Sequence, residues 1–186
     1  PGATPHAGDA FSGLRPAACP APDQGNQCRG RVEDGEYSTY LEAMTGSVLA
    51  VCPSCSKLNR IPVARLTEKP VCGVCGRALF TGHPVEVDSA GFDRHAKGDL
   101  PVLVDVWAPW CGPCRMMGPM FERAAADLEP QVRLLKLNLD NAPDIGRRFG
   151  IQSVPALLLL SRGQLKAQTA GAMDARSIVA WAKANL

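Results

Sequence analysis

The stretch VLVDVWAPWCGPCRMMGP, residues 102–119, decides how the rest of this chain is read. Its first half is apolar and β-rich, as a buried strand is, with one carboxylate, Asp105, set among the aliphatics. Cys111-Gly-Pro-Cys114 follows at once. Then helical spacing begins, with Met117, Phe121, Ala124, Ala125 and Leu128 on one side. Two thiols therefore stand where a strand hands over to a helix. A thiol at a helix N-terminus meets unpaired backbone N–H groups and the positive end of the dipole. Both stabilise the thiolate, so a lowered pKa is expected for Cys111. Cys114 lies one turn further on, close enough to bond to it. One thiolate attacks a substrate disulfide and the second releases the product.

Working outward, strand and helix patterns alternate. PVEVD (84–88), VRLLKLNLD (132–140) and PALLLL (155–160) read as strands. QLKAQTAG (164–171) pairs with the last of these across SRG as a hairpin. APDIGRRFG (142–150) reads as a short helix ending in glycine, and DARSIVAWAKANL (174–186) as a closing helix capped by Asp174. The order β-α-β-α-β-α-β-β-α predicts an α/β domain: a central mixed sheet with helices on both faces, over 83–186.

Before it, residues 48–82 hold two more pairs, Cys52/Cys55 and Cys72/Cys75, in a Cys-x2-Cys-x16-Cys-x2-Cys array. Two sulfurs on one tight turn face a common point, and a second turn supplies the other two, the spacing of a tetrahedral zinc site. Pro53, Gly73 and Gly76 suit such turns. The block offers only Leu58, Ile61, Val63, Leu66 and Val71 as a core. It is too little to fold about 35 residues unaided, whereas a four-thiolate zinc supplies roughly 10 kcal/mol or more toward folding. Two disulfides, or a redox pair with two spare thiols, are the competing arrangements. With four thiolates in place no coordination position stays open, so one structural zinc ion per chain is expected, with no organic cofactor. The 83–186 domain, with its own sheet and core, is expected to keep its cooperative melting without the metal.

Residues 1–47 are rich in Pro, Gly and Ala with no apolar period, and read as a disordered tail; Cys19 and Cys28 there fit no motif. The chain's 186 residues carry a net charge of +2 without a basic stripe, which argues against nucleic acid or an anionic membrane as partner. The longest aliphatic run is far short of the ~20 residues of a membrane helix. The first residues lack a basic start followed by an apolar run. A cytoplasmic protein is expected, whose Cys-x-x-Cys pairs serve metal or redox chemistry rather than structural disulfides.

The quoted stretch resembles the active-site segment of thioredoxins, and the resemblance continues through KLNLD, GIQSVPALLLL and GAMDA, covering about 84–186. VLAVCPSCSKLNRIPVARL and VCGVCGRALF resemble the N-terminal zinc module of the thioredoxin-2 type. The resemblance implies the thioredoxin fold and a protein-disulfide reductase. Cys111 would be the attacking thiol and Cys114 the resolving one. Asp105 would be the buried carboxylate that takes a proton from Cys114 through water, and Lys136 its charge partner. Burial of a carboxylate on an apolar strand is costly and asks for such a reason. The plainer alternatives are a strand-edge Asp105 facing water and a solvated Lys136.

Pro155 would be a cis-proline presenting the Val154 backbone to an extended substrate peptide, Trp110 would shield the disulfide and contact partners, and Trp107 would pack beneath. Gly171 would leave room for the substrate, and Pro119 would kink the long helix. Disulfide-containing proteins are the implied substrates, an NADPH-dependent thioredoxin reductase the electron donor, and a monomer the expected state. Two other functions compete: an oxidase or isomerase on the same fold, and a zinc-thiolate redox sensor or partner-binding module.

Overall fold

The computed structural model describes residues 46–186; the expected tail up to residue 45, with Cys19 and Cys28, lies outside them. The described chain begins with an antiparallel hairpin, β1 (Ser47–Val51) and β2 (Leu58–Pro62), which pairs Val51 with Leu58 beside the first cysteine turn. β3 (Val85–Val87) follows, then α1 (Ser89–Ala96), β4 (Val102–Trp107), α2 (Gly112–Leu128), β5 (Arg133–Asn138), α3 (Pro143–Arg148), β6 (Ala156–Ser161), β7 (Gln164–Ala170) and α4 (Ala175–Ala184).

The second sheet has strand order β3-β5-β4-β6-β7. β3 and β4 run parallel to β5, β6 runs antiparallel to β4, and β7 antiparallel to β6. Side chains alternate across each strand, so the sheet has two apolar faces. On one, Val102, Val104, Val106, Leu135, Leu137 and Leu158 pack against Phe92 of α1 and Ile145 of α3. On the other, Leu103, Leu134, Leu157 and Leu159 pack against Met117, Phe121 and Leu128 of α2 and Ile178 of α4. Asp105 has the parity of Leu103 and so belongs to the α2 face. The expected mixed sheet with helices on both sides is the observed one.

The helix ends follow local chemistry. The Asp88 carboxylate accepts from Gly91 N–H at 2.7 Å and starts α1; Asp174 accepts from Ser177 N–H at 2.9 Å and starts α4. α2 continues through Pro119, with Cys111 as its N-cap. The sequence reading implied a helix between PVEVD and PVLVDVWA without assigning its residues. The signal was there: Asp88 as cap, then Phe92, His95 and Ala96 at helical spacing, all buried.

The cysteine block differs from expectation in its core. Ile61 and Leu66 are buried as foreseen, but Leu58 and Val71 stand 55% and 61% exposed. Their places are taken by Val48, Ala50 and Leu79, with Cys52 and Cys72 themselves, and by Leu100 from the loop before β4. A strand pair lets Val48 and Ala50 face inward together, which period counting within so short a block does not reveal. Because Leu100 joins this cluster, the block packs onto the larger sheet. Leu49 N–H donates to Asp99 at 2.8 Å, and Asp99 N–H returns to the Leu49 carbonyl at 3.1 Å. These contacts lie at the start of β4. A six-residue strand spans ~20 Å, so the block sits at the pole opposite the Cys111 end. Among the described residues, no helix is long and apolar enough to cross a membrane.

Candidate active site and metal cluster

Parallel neighbours bring their C-terminal ends together, and this places the redox pair. β4 and β5 end side by side, with the Leu139 N–H donating to the Trp107 carbonyl at 2.9 Å. From there the chain turns through Ala108 and Pro109 into α2. Cys111 and Cys114 are joined as a disulfide across the first turn of that helix, with Cα atoms 5.3 Å apart. The Cys114 N–H points at Cys111 Sγ, 3.1 Å away, so a helix-terminal donor serves the first sulfur. Cys111 is 4% exposed while Trp110 beside it is 69% exposed, an aromatic wall next to a recessed sulfur. The Trp110 indole N–H donates to Asp140 at 3.2 Å. Sequence reading missed Asp140; its place just after β5, parallel to β4, was the available clue.

The bond between Val154 and Pro155 is cis. Cys111 Sγ lies 3.6 Å from the Val154 carbonyl oxygen. Gly171 donates its N–H to the Pro155 carbonyl at 2.9 Å and has φ +104°, a conformation that disfavours any side chain. An added Cβ there would meet nothing within 4 Å, so backbone conformation rather than crowding demands the glycine.

Asp105 is 1% exposed, and neither carboxylate oxygen has a hydrogen-bond partner among the described residues. Loss of hydration pushes its pKa up to about 7, with the Lys136 ammonium offsetting part of that rise. Lys136 is the register partner of Asp105 on β5, and its Nζ stands 5.4 Å from the centre of the Trp107 ring. Asp105, Trp107, Cys114 and Lys136 line one cleft of about 620 Å³, together with Arg115, Glu122 and Arg123 of α2. The carboxylate and the second sulfur thus share one opening, as transfer of a proton between them requires. The three α2 side chains on its wall were not anticipated.

The other four cysteines of the described residues are unbonded thiols whose sulfurs all lie within 4.8 Å of one another. Cys52 and Cys75 are 3.6 Å apart at sulfur, as are Cys55 and Cys72. A tetrahedron with Zn–S of ~2.3 Å has edges of about 3.8 Å, close to the two 3.6 Å separations, so the cage is of the size zinc takes. The two turns are alike. Ser54 N–H is directed at Cys52 Sγ and Val74 N–H at Cys72 Sγ, both at 3.4 Å. Backbone donors from Cys75 and Val74 pull the Cys72 thiol down, while Cys55, despite the Lys57 backbone donor, is pushed up by loss of hydration and by the neighbouring sulfurs, so the two share one proton as a pair. The Asn59 side chain accepts from Gly73 N–H at 3.0 Å and ties the hairpin to the second turn.

Comparison with known proteins agrees with both sites. Residues 83–184 match the Thioredoxin family model, and residues 51–77 match a zinc-ribbon model described as Thioredoxin 2, N-terminal. Thioredoxin C-3 of Corynebacterium nephridii is 36% identical over 135 residues, 72% of this chain and 92% of that protein. A thioredoxin of Rickettsia bellii is 43% identical over 48% of this chain and 86% of its own length. The structure of a mutant thioredoxin from Halobacterium salinarum superposes with a TM-score of 0.52 at 25% identity, covering 57% of this chain and 93% of that one. With a disulfide at the strand-to-helix turn, a four-cysteine cage before it and these relatives, the chain belongs to the thioredoxin family of thiol-disulfide oxidoreductases.

Proposed function

We propose that this oxidoreductase works as a protein-disulfide reductase, with Cys111 attacking and Cys114 resolving. The observation that carries the reading is the disulfide at the start of α2, recessed beside exposed Trp110 and the Val154 carbonyl. In the reduced protein, the Cys111 thiolate attacks one sulfur of a substrate disulfide and expels the other as a thiolate. The mixed disulfide is then broken by Cys114. Its proton passes to Asp105, and its sulfur attacks Cys111 Sγ. Two electrons have moved to the substrate, and the protein is left in the disulfide form described above. Strand-like pairing to the Val154 backbone, with Gly171 open alongside, would hold an extended peptide. An NADPH-dependent thioredoxin reductase would restore the dithiol, and a reducing compartment such as the cytoplasm suits the reaction. The test is reduction of a disulfide-bonded protein with NADPH and thioredoxin reductase present. NADPH consumption that needs both proteins supports the reading; none with any protein disulfide overturns it.

Residues 48–82 we read as a metal module and 83–186 as the catalytic domain, the module holding one structural zinc ion per chain through Cys52, Cys55, Cys72 and Cys75. All four positions would then belong to thiolates, so the metal shapes the fold and leaves electron transfer to Cys111 and Cys114. Elemental analysis of the reduced protein is expected to give one zinc per chain. Cys72→Ser is expected to lose it and Cys111→Ser to keep it. Metal loss in the Cys111 variant would merge two sites that stand apart in this reading.

A further inference from the structure

The segment joining the two matched regions, residues 78–82, belongs to neither family model. It is held by two charged residues of the catalytic domain. Arg133 and Glu129 form an ion pair at 2.6 Å with side chains 2% and 3% exposed. Arg133 also donates to the Leu79 carbonyl at 2.6 Å, and its guanidinium stacks 4.8 Å from the centre of the Phe80 ring. Glu129 accepts from Thr81 N–H at 3.0 Å and from Gly82 N–H at 2.8 Å. Each of these contacts runs from the α2–β5 connection to the segment that follows the cysteine cage. Leu79 in turn is buried with Cys52 and Cys72.

Burying a pair of charges is seldom worth its desolvation for stability alone. The cage gives a second reason. Four thiolates around a divalent ion leave a net charge of about −2 in a small block with little solvent on Cys52. Arg133 reaches the cage through Leu79, whose carbonyl it holds and whose side chain packs with Cys52 and Cys72; burial lowers the Arg133 pKa and Glu129 offsets part of that. His95 is pushed down to about 4 by burial and by Arg133 and Arg94, so it adds no positive charge at neutral pH. Gly98 at the end of α1 completes the fit: an added Cβ would stand 3.0 Å from the Leu49 carbonyl.

We propose that Arg133 and Glu129 clamp, from the catalytic domain, the segment that leaves the metal cage, so that metal occupancy and docking of the module are coupled through the Glu129–Arg133 pair. The proposal rests on the zinc reading above. Such coupling is reciprocal: what docking adds to metal affinity, the metal adds to docking. Zinc loss then reaches the catalytic domain at the end of α2 remote from Cys111, as altered stability.

The experiment uses the full chain and Co²⁺ or Zn²⁺ alone, in competition with a chromogenic chelator. Glu129→Gln with Arg133→Met removes both charges and leaves no orphaned carboxylate. It is expected to weaken metal binding about tenfold, in the range usual for outer-shell partners. Arg133→Lys, which keeps the charge without the fork, should recover part of that loss. In the wild-type chain, zinc is expected to raise the melting temperature of the catalytic domain by at least about 5–6 °C, the shift a tenfold coupling gives a domain of about 100 residues. Unchanged metal affinity in a folded double variant overturns the proposal, as does a wild-type melting temperature indifferent to zinc. A wild-type chain without cobalt–thiolate absorption would remove the metal reading, and the proposal with it. Equal binding by wild type and variant removes the proposal alone.

Discussion

Cys111→Ser is expected to reduce protein-disulfide reduction to background. A serine hydroxyl stays protonated at neutral pH, so the helix N-terminus has no thiolate to stabilise. Cys114→Ser should behave differently, because attack by Cys111 still occurs and resolution does not. A covalent adduct with the substrate protein should accumulate and be released by an added dithiol. Non-reducing electrophoresis after mixing with a disulfide protein separates the two outcomes. If the Cys114 variant showed no adduct while the Cys111 variant did, the order of the two thiols would be reversed. Equal, near wild-type turnover in both would remove the site.

Asp105→Asn is expected to stabilise the fold in a pH-dependent way. The ordinary carboxylate value is 3.8 and the folded value about 7, because burial disfavours the charged form. The sign follows from proton counting. Between those values the folded state binds more protons than the unfolded state, so wild-type stability falls as pH rises. Below about pH 4 both states are protonated and the penalty is absent. Above about pH 7 it is complete, about 4 kcal/mol at 1.36 kcal/mol per unit. Asparagine mimics the protonated form at every pH. The variant should therefore match wild type in denaturant melts at pH 4 and exceed it by up to about 4 kcal/mol at pH 8. Its thiol-resolving step should be slower, since an amide takes no proton from Cys114. A stability gap that did not change with pH would show that Asp105 is not the titrating group. Full activity in the variant would show that the carboxylate is not the base.

Both cysteine arrangements in this chain were legible without coordinates, because each depends on residues close in sequence. A Cys-Gly-Pro-Cys between a strand and a helix needs only the backbone of its own turn to place two sulfurs within bonding distance, and that is where the disulfide stands. Two Cys-x-x-Cys turns, each folding on itself, carry most of the geometry of the four-sulfur cage. The alternation of strands and helices likewise sufficed for a mixed sheet with two covered faces, since side-chain period is a local property. Pairings between distant segments had to await the folded chain. Register between β4 and β5 sets Lys136 beside Asp105, a pairing that the family resemblance implied and no local pattern encodes, and the shared end of those strands brings Asp140 to Trp110. Leu100 completes a core assigned to another block, and Leu58 and Val71, apolar by type, are left exposed. Arg133 and Glu129 read in sequence as ordinary charged residues at the edges of a strand and a helix. They are buried because residues 79–82 return across them, and no local pattern encodes which segment will cover a given surface. The order of residues places the cysteines of each cluster together. Where the cysteine block docks, and which charges hold it there, is set by surfaces that exist only once the sheet has formed.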